Sequence, residues 1–108
     1  NGGASAFNIA ASYPEYFWSV TGFPGYLREA TPERVGALSK MCINMHVGEL
    51  DTGWLAGMQK QAAAFRAQGF TVRFTVEKVQ HHRLETFEGE GAGRFFDQFE
   101  EARHGCAK

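Results

Sequence analysis

The chain has 108 residues, 44% of them hydrophobic and 14% aromatic, enough apolar mass for one packed domain and too much for a disordered segment. Eleven basic residues against twelve acidic ones leave a net charge of −1, which excludes the basic field that nucleic-acid binders use. No apolar run approaches the ~20 residues that a bilayer-spanning helix needs, so neither nucleic acid nor a membrane is an expected partner.

The first segment, "NGGASAFNIAAS", puts Ala4, Phe7, Ile9, Ala10 and Ala11 at helical separations. This predicts a short buried helix from Gly2 to about Ser12, ended by Pro14, which disfavours the α region in the residue before it. "YFWSVTGF" is aromatic and β-branched and predicts a strand over residues 16–23, stopped by the Pro24-Gly25 turn signal. Thr31 followed by Pro32 is a helix start, a capping side chain with proline at the first helical position. The helix it opens, "TPERVGALSK", runs to about Lys40.

"MCINMHV" is nearly all apolar and of strand length, as expected of a parallel strand covered on both faces. After the loop "GELD", Trp54, Leu55, Met58, Ala62 and Phe65 recur at spacings of one, three and four, predicting the longest helix, with Gly69 at its C-terminal cap. "FTVRFTVEKV" alternates and predicts a strand; "QHHRLETFEG" is a polar loop; "GAGRFFDQFEEARHG" is a final helix with Phe95, Phe96 and Phe99 on a core-facing side. Trp54 is likewise read as core. Strands alternating with helices predict an α/β fold, a parallel sheet with flanking helices, in one domain spanning residues 1–108.

Ligands of such sheets gather beyond the carboxyl ends of the strands. That rule selects the turn before Gly2, the "GELD" loop and the "QHHR" loop. Asp51 and His82 are separated by one helix and one strand, so an aspartate that orients an imidazole, and an imidazole that acts as general base, can meet above the sheet. The remaining polar candidates have plainer readings. Asp51 is also a preferred helix cap; His46 lies mid-strand among apolar residues and reads as a core histidine; His104 reads as surface. Of the two cysteines, which form neither a disulfide framework nor a zinc knuckle, Cys42 reads as core packing and Cys106 as an exposed thiol.

These features together resemble the α/β-hydrolase fold, in its polyhydroxybutyrate-depolymerase-like and dienelactone-hydrolase-like esterase branch. "NGG" matches the end of that family's G-x-S-x-G nucleophile elbow with its second glycine, and the "GFPG" turn, the "HVGELD" loop and a histidine followed by a helix are similar to its later landmarks. The resemblance covers the whole chain but only the C-terminal half of the fold, beginning just after the elbow serine. It implies a carboxylic ester hydrolase with a Ser-Asp-His triad whose serine lies immediately upstream of Asn1. Asp51 would be the acid, His82 the base and the Asn1 N–H an oxyanion donor, with a small-molecule ester as substrate and no cofactor.

His81 is the runner-up base, because the family often has glycine there, and Glu49 is the runner-up acid. Ser5 does not fit as nucleophile: it falls inside the helix, and "GASAF" lacks the second glycine. The chain as it stands would then lack the nucleophile and pair with the N-terminal half of the fold, in the same or a separate chain, or with a second copy. Two other readings stay open: a non-catalytic α/β interaction module or pseudo-enzyme, and a divalent-metal site drawn from His46, Glu49, Asp51, His81 and His82. Nothing in the sequence separates a cytoplasmic from a secreted protein.

Overall fold

The computed structural model describes residues 2–80 and 92–103. Its elements are α1 (Gly2–Ser12), a 3₁₀ turn (Pro14–Tyr16), β1 (Ser19–Gly22), α2 (Pro32–Ala37), β2 (Cys42–Gly48), α3 (Thr52–Ala67), β3 (Thr71–Glu77) and α4 (Ala92–Arg103). The three strands form one sheet in the order β1-β2-β3, and both pairings are parallel. The α/β class and the alternating order are as expected from sequence.

The two faces of the sheet differ. Ile43, Met45 and Val47 of β2 pack with Phe7 and Ala10 of α1 and with Met58, Ala62 and Phe65 of α3, while Val72, Phe74 and Val76 of β3 border the same core. Successive strand residues point to opposite sides, so Asn44, His46, Arg73, Thr75 and Glu77 face the other way. There α4 meets them through Gln98, Arg94 and Glu101. All seven residues of β2 are buried, as a strand covered on both faces predicts.

Several boundaries move for local reasons. The strand expected over 16–23 survives only as Ser19–Gly22. Pro14 has no N–H for a ladder and its fixed φ suits a turn, so Tyr16 N–H closes onto Tyr13 O at 3.1 Å. Tyr16 and Trp18 are left 75% and 67% exposed. α2 begins where Thr31 accepts from the Arg34 N–H, at 3.3 Å, but ends at Ala37 rather than Lys40. Leu38 and Ser39 already bond three residues back, to Val35 O and Gly36 O, the tightening that commonly closes a helix. Gly69, with φ 81, ends α3 as predicted.

The final helix corrects the sequence reading of Phe96 and Phe99, while the Phe95 side chain lies outside what is described. Phe96 is 64% exposed and Phe99 is also exposed, because α4 covers the polar face of the sheet and meets it with polar side chains. Trp54 is half-buried against the core, edge-on to Tyr26 with centroids 5.5 Å apart. The loop joining β1 to α2 is fixed to α3 by Gln61, whose amide both accepts from Leu27 N–H (2.7 Å) and donates to Leu27 O (2.8 Å), imitating a strand partner.

Cys42 is buried in the core, as read from sequence, and is disulfide-bonded. The only other cysteine in the sequence, Cys106, lies outside the described residues, as does His104.

Candidate active site

In a parallel sheet all carboxyl ends lie along one edge, and three features of this chain converge there. The first is the N-terminus of α1. A Cβ added to Gly3 would come within 2.0 Å of Pro24 O, and one added to Gly25 within 2.4 Å of Gly3 C. Backbone therefore packs directly on backbone, and only glycine on both sides lets the helix start lean against the turn that leaves β1. That turn contains a cis Phe23–Pro24 peptide bond.

The second feature is Asp51. Gly48 ends β2, and the Asp51 N–H closes the following turn onto Gly48 O at 3.0 Å. Asp51 occupies the N-cap position of α3, and its carbonyl accepts from Trp54 N–H (3.1 Å) and Leu55 N–H (3.0 Å). Its side chain makes no capping bond. The ordinary structural use of an aspartate at this position is therefore not the one adopted, and the half-buried Asp51 sits at the N-terminus of α3.

The third is the exit from β3. Glu49 N–H donates to Glu77 O and Leu50 N–H to Gln80 O, both at 2.9 Å. Glu49 Oε1 accepts from Val79 N–H at 3.2 Å, and Oε2 pairs with Lys78 Nζ at 3.3 Å. The loop after β2 and the turn after β3 thus run side by side. Val79 has φ 57, a conformation that costs a β-branched residue about 1–3 kcal/mol and is kept only where surrounding bonds enforce it. It also ends the strand at Glu77, two residues earlier than the alternating pattern suggested. The Val79 N–H and the Lys78 ammonium hold the Glu49 carboxyl below its ordinary value of 4.5.

Of the residues singled out from sequence, Asp51 and Glu49 are thus both at this edge. Asn1, His81 and His82 lie outside the described residues; His81 directly follows Gln80, whose carbonyl Leu50 holds. His46 is elsewhere, beneath α4. It is fully buried, with Nε2 at 3.1 Å from Gln98 Oε1, a bond the ring donates because a carbonyl oxygen only accepts. The Phe23 ring lies 5.0 Å from it. This is the core histidine the strand context predicts. Among the described residues, no three or more of His, Cys, Asp and Glu gather as a group able to hold a metal ion, and His46 does not join Glu49 and Asp51.

Burial lowers the His46 pKa from 6.5, together with Arg94 and Arg73, while the Gln98 bond and the Glu77 charge oppose the shift. The fold thus favours the neutral ring, so its contribution to stability is full above pH 6.5 and is lost as pH falls through the depressed folded value. Thermal melts are expected to show Tm falling between pH 7.5 and 5.5, and a Tm that rises as pH falls through that window would refute the assignment.

Sequence reasoning missed the buried carboxylate of Glu77, 5% exposed and paired with Arg94 at 2.8 Å. The available signal was its place in the alternation of β3, on the face shared with Arg73 and Thr75. An open, largely apolar groove of about 640 Å³ runs beside the free edge of β1, lined among others by Gly3, Ile9, Phe17, Val20 and Phe99. Compared with protein-family models, curated proteins and solved structures, the chain finds no match in any of the three.

Proposed function

We propose that this chain is the C-terminal part of an α/β-hydrolase-fold serine hydrolase that cleaves carboxylic esters, with its nucleophilic serine immediately upstream of Asn1. The observation that carries the reading is the convergence described above. A glycine-dependent helix start, an aspartate whose side chain is not spent on capping, and the turn leading to the histidines share the carboxyl edge of one parallel sheet. The strand order β1-β2-β3, with α1 to α3 on one face and α4 on the other, also suits the second half of that fold.

On this reading His82 takes the serine proton as the oxygen attacks the ester carbonyl, and Asp51 fixes the imidazole tautomer and stabilises its cation. The Asn1 N–H, at the start of α1, donates to the oxyanion, a contribution worth about 10²–10³ in rate per donor. Collapse expels the alcohol, which leaves with the proton from His82. Water then repeats the sequence, releasing the acid and returning a proton to serine. His81 stands as the alternative base. Glu49, engaged by the Val79 N–H and Lys78, stands as the alternative acid.

The partner proposed for the free β1 edge and its apolar groove is the N-terminal half of the fold, whose last strand would run directly into α1. Ser5 lies inside α1 and is not assigned the nucleophile's role. No cofactor enters this chemistry. Among the described residues no helix is long and apolar enough to cross a membrane. The disulfide at Cys42 favours maturation in an oxidising compartment.

A fluorophosphonate probe tests the reading. In the protein carrying its upstream half, a single adduct is expected on the residue before Asn1, and labelling is expected to slow about 10³-fold or more in His82→Ala. Labelling at Ser5 would overturn the assignment of the nucleophile to the residue before Asn1, and no labelling in a folded protein would favour the non-catalytic module instead.

A further inference from the structure

A second open groove, of about 600 Å³, lies between the loop that joins β1 to α2 and the flank of α3. That volume is in the range of small-molecule sites. Its floor is apolar: Leu27, Val35 and Phe65, all buried, are joined by the half-buried Tyr26 and the exposed Ala64. Its lining also carries two exposed cations, Arg28 and Lys60, and one carboxylate, Glu29.

The wall formed by the loop is fixed at several points. Gln61 of α3 holds both backbone groups of Leu27, at 2.7 and 2.8 Å. Arg34 Nε donates to Glu29 O at 3.1 Å, and Arg34 Nη2 donates to Asn8 Oδ1 at 2.8 Å, which ties the loop to α1. Thr31 N–H also donates to Glu29 O, at 2.8 Å. Glu29 itself has φ 51, a left-handed conformation that a residue other than glycine keeps only where surrounding bonds enforce it. A ligand entering the groove therefore has no loop to order, which removes one of the usual costs of binding.

The two cations are not spent on the fold. Among the described residues the ion pairs join Arg73 to Glu101, Lys78 to Glu49 and Arg94 to Glu77, and neither Arg28 nor Lys60 takes part. Arg28 is held over the Trp54 ring, 5.7 Å from its centroid. Such a contact engages the charge with the π face and leaves the guanidinium N–H groups for an oxygen acceptor. A surplus of positive charge thus borders an apolar floor. Glu29 limits that surplus, so a single negative charge is matched and a dianion meets repulsion.

We propose that this groove binds a small amphipathic monocarboxylate, with its aliphatic chain along Leu27, Val35, Ala64 and Phe65 and its carboxylate held by Arg28 and Lys60. The site is separate from the carboxyl edge of the sheet and does not rest on the Asp51–His82 reading.

The test is an amide NMR titration of the full-length protein with sodium octanoate. Saturable shifts are expected at Leu27, Arg28 and Gly57, with octanol and octylamine binding about 10-fold more weakly or not at all. Arg28→Gln combined with Lys60→Ala is expected to weaken octanoate binding about 10-fold. Ala64→Phe fills the apolar part of the groove and leaves both cations in place; it is expected to weaken binding by a similar factor. An absence of saturable shifts in this groove overturns the site. So does octanol binding as tightly as octanoate, or an affinity unchanged in the charge variant, since either removes the recognition of the anion. Acetate binding as tightly as octanoate, or an affinity unchanged in Ala64→Phe, overturns it from the other side, by leaving only the attraction of an anion to exposed cations.

Discussion

In the protein that carries its upstream half, Asp51→Asn is expected to lower kcat for an activated ester by about 10⁴-fold while changing Tm by no more than about 2 °C. The substitution separates the two uses of an aspartate at this position. Asparagine caps a helix as well as aspartate does, and the Asp51 side chain does not cap α3, so neither the helix nor the fold should suffer. A triad acid is different. An amide can present its N–H₂ to the imidazole, stabilising the wrong tautomer and offering no charge to the imidazolium. An intact rate in Asp51→Asn, with equal stability, would mean that the residue only occupies the cap position. Steady-state kinetics beside a thermal melt decide between the two.

The second large effect is steric. Gly3→Ala puts a methyl group where Pro24 O already stands, 2.0 Å away, and the obstacle is backbone on both sides, so no side-chain rotation relieves it. α1 must draw back from the turn after β1. The expected cost is about 3 kcal/mol or more, a fall in Tm on the order of 15 °C for a chain of this size. Gly2→Ala is the matched control. Nothing lies within 4 Å of a Cβ there, and alanine favours helix over glycine by about 1 kcal/mol in helix interiors, so that variant should be neutral or slightly stabilised. Equal melting points for the two variants would show that the close approach is not made. On the hydrolase reading Gly3→Ala also displaces the Asn1 amide, so activity should be lost even where folding is rescued at low temperature.

Most of the element order is legible in the sequence because its periodicities are clean. The alternation of "FTVRFTVE", the apolar run of β2 and the helical spacing from Trp54 to Phe65 each admit one interpretation. The failures have physical causes. Tyr16, Phe17 and Trp18 have strong strand propensity, but Pro14 starts a turn that propensity does not see, and the strand loses its first residues. Phe96 and Phe99 of α4 look like part of a core stripe, yet the sheet face beneath that helix is polar, a fact that depends on which residues of β2 and β3 point towards it.

At the candidate site, Asp51 and Glu49 both stood out as acids in the right loop. What the sequence could not show is that Glu49 is held by a backbone amide and a lysine, because the left-handed conformation of Val79 that accompanies this bond is one valine seldom adopts. The contact of Gly3 with Gly25 was equally hidden: each glycine reads as a local turn signal, and only their meeting across the fold gives both a reason. Asn1, singled out through resemblance to a family motif, and His82, singled out first from its place after the third strand, lie outside the described residues.

The most direct measurement is the separation of Asp51 and His82 in an experimental structure of the chain joined to its upstream half. A carboxylate oxygen of Asp51 about 2.6–3.2 Å from His82 Nδ1, with His82 Nε2 facing a serine Oγ on the residue before Asn1, is the expected result. An Asp51–His82 distance beyond about 6 Å, the reach of a direct charge effect on the imidazole, or an upstream neighbour without a nucleophilic side chain, would contradict it.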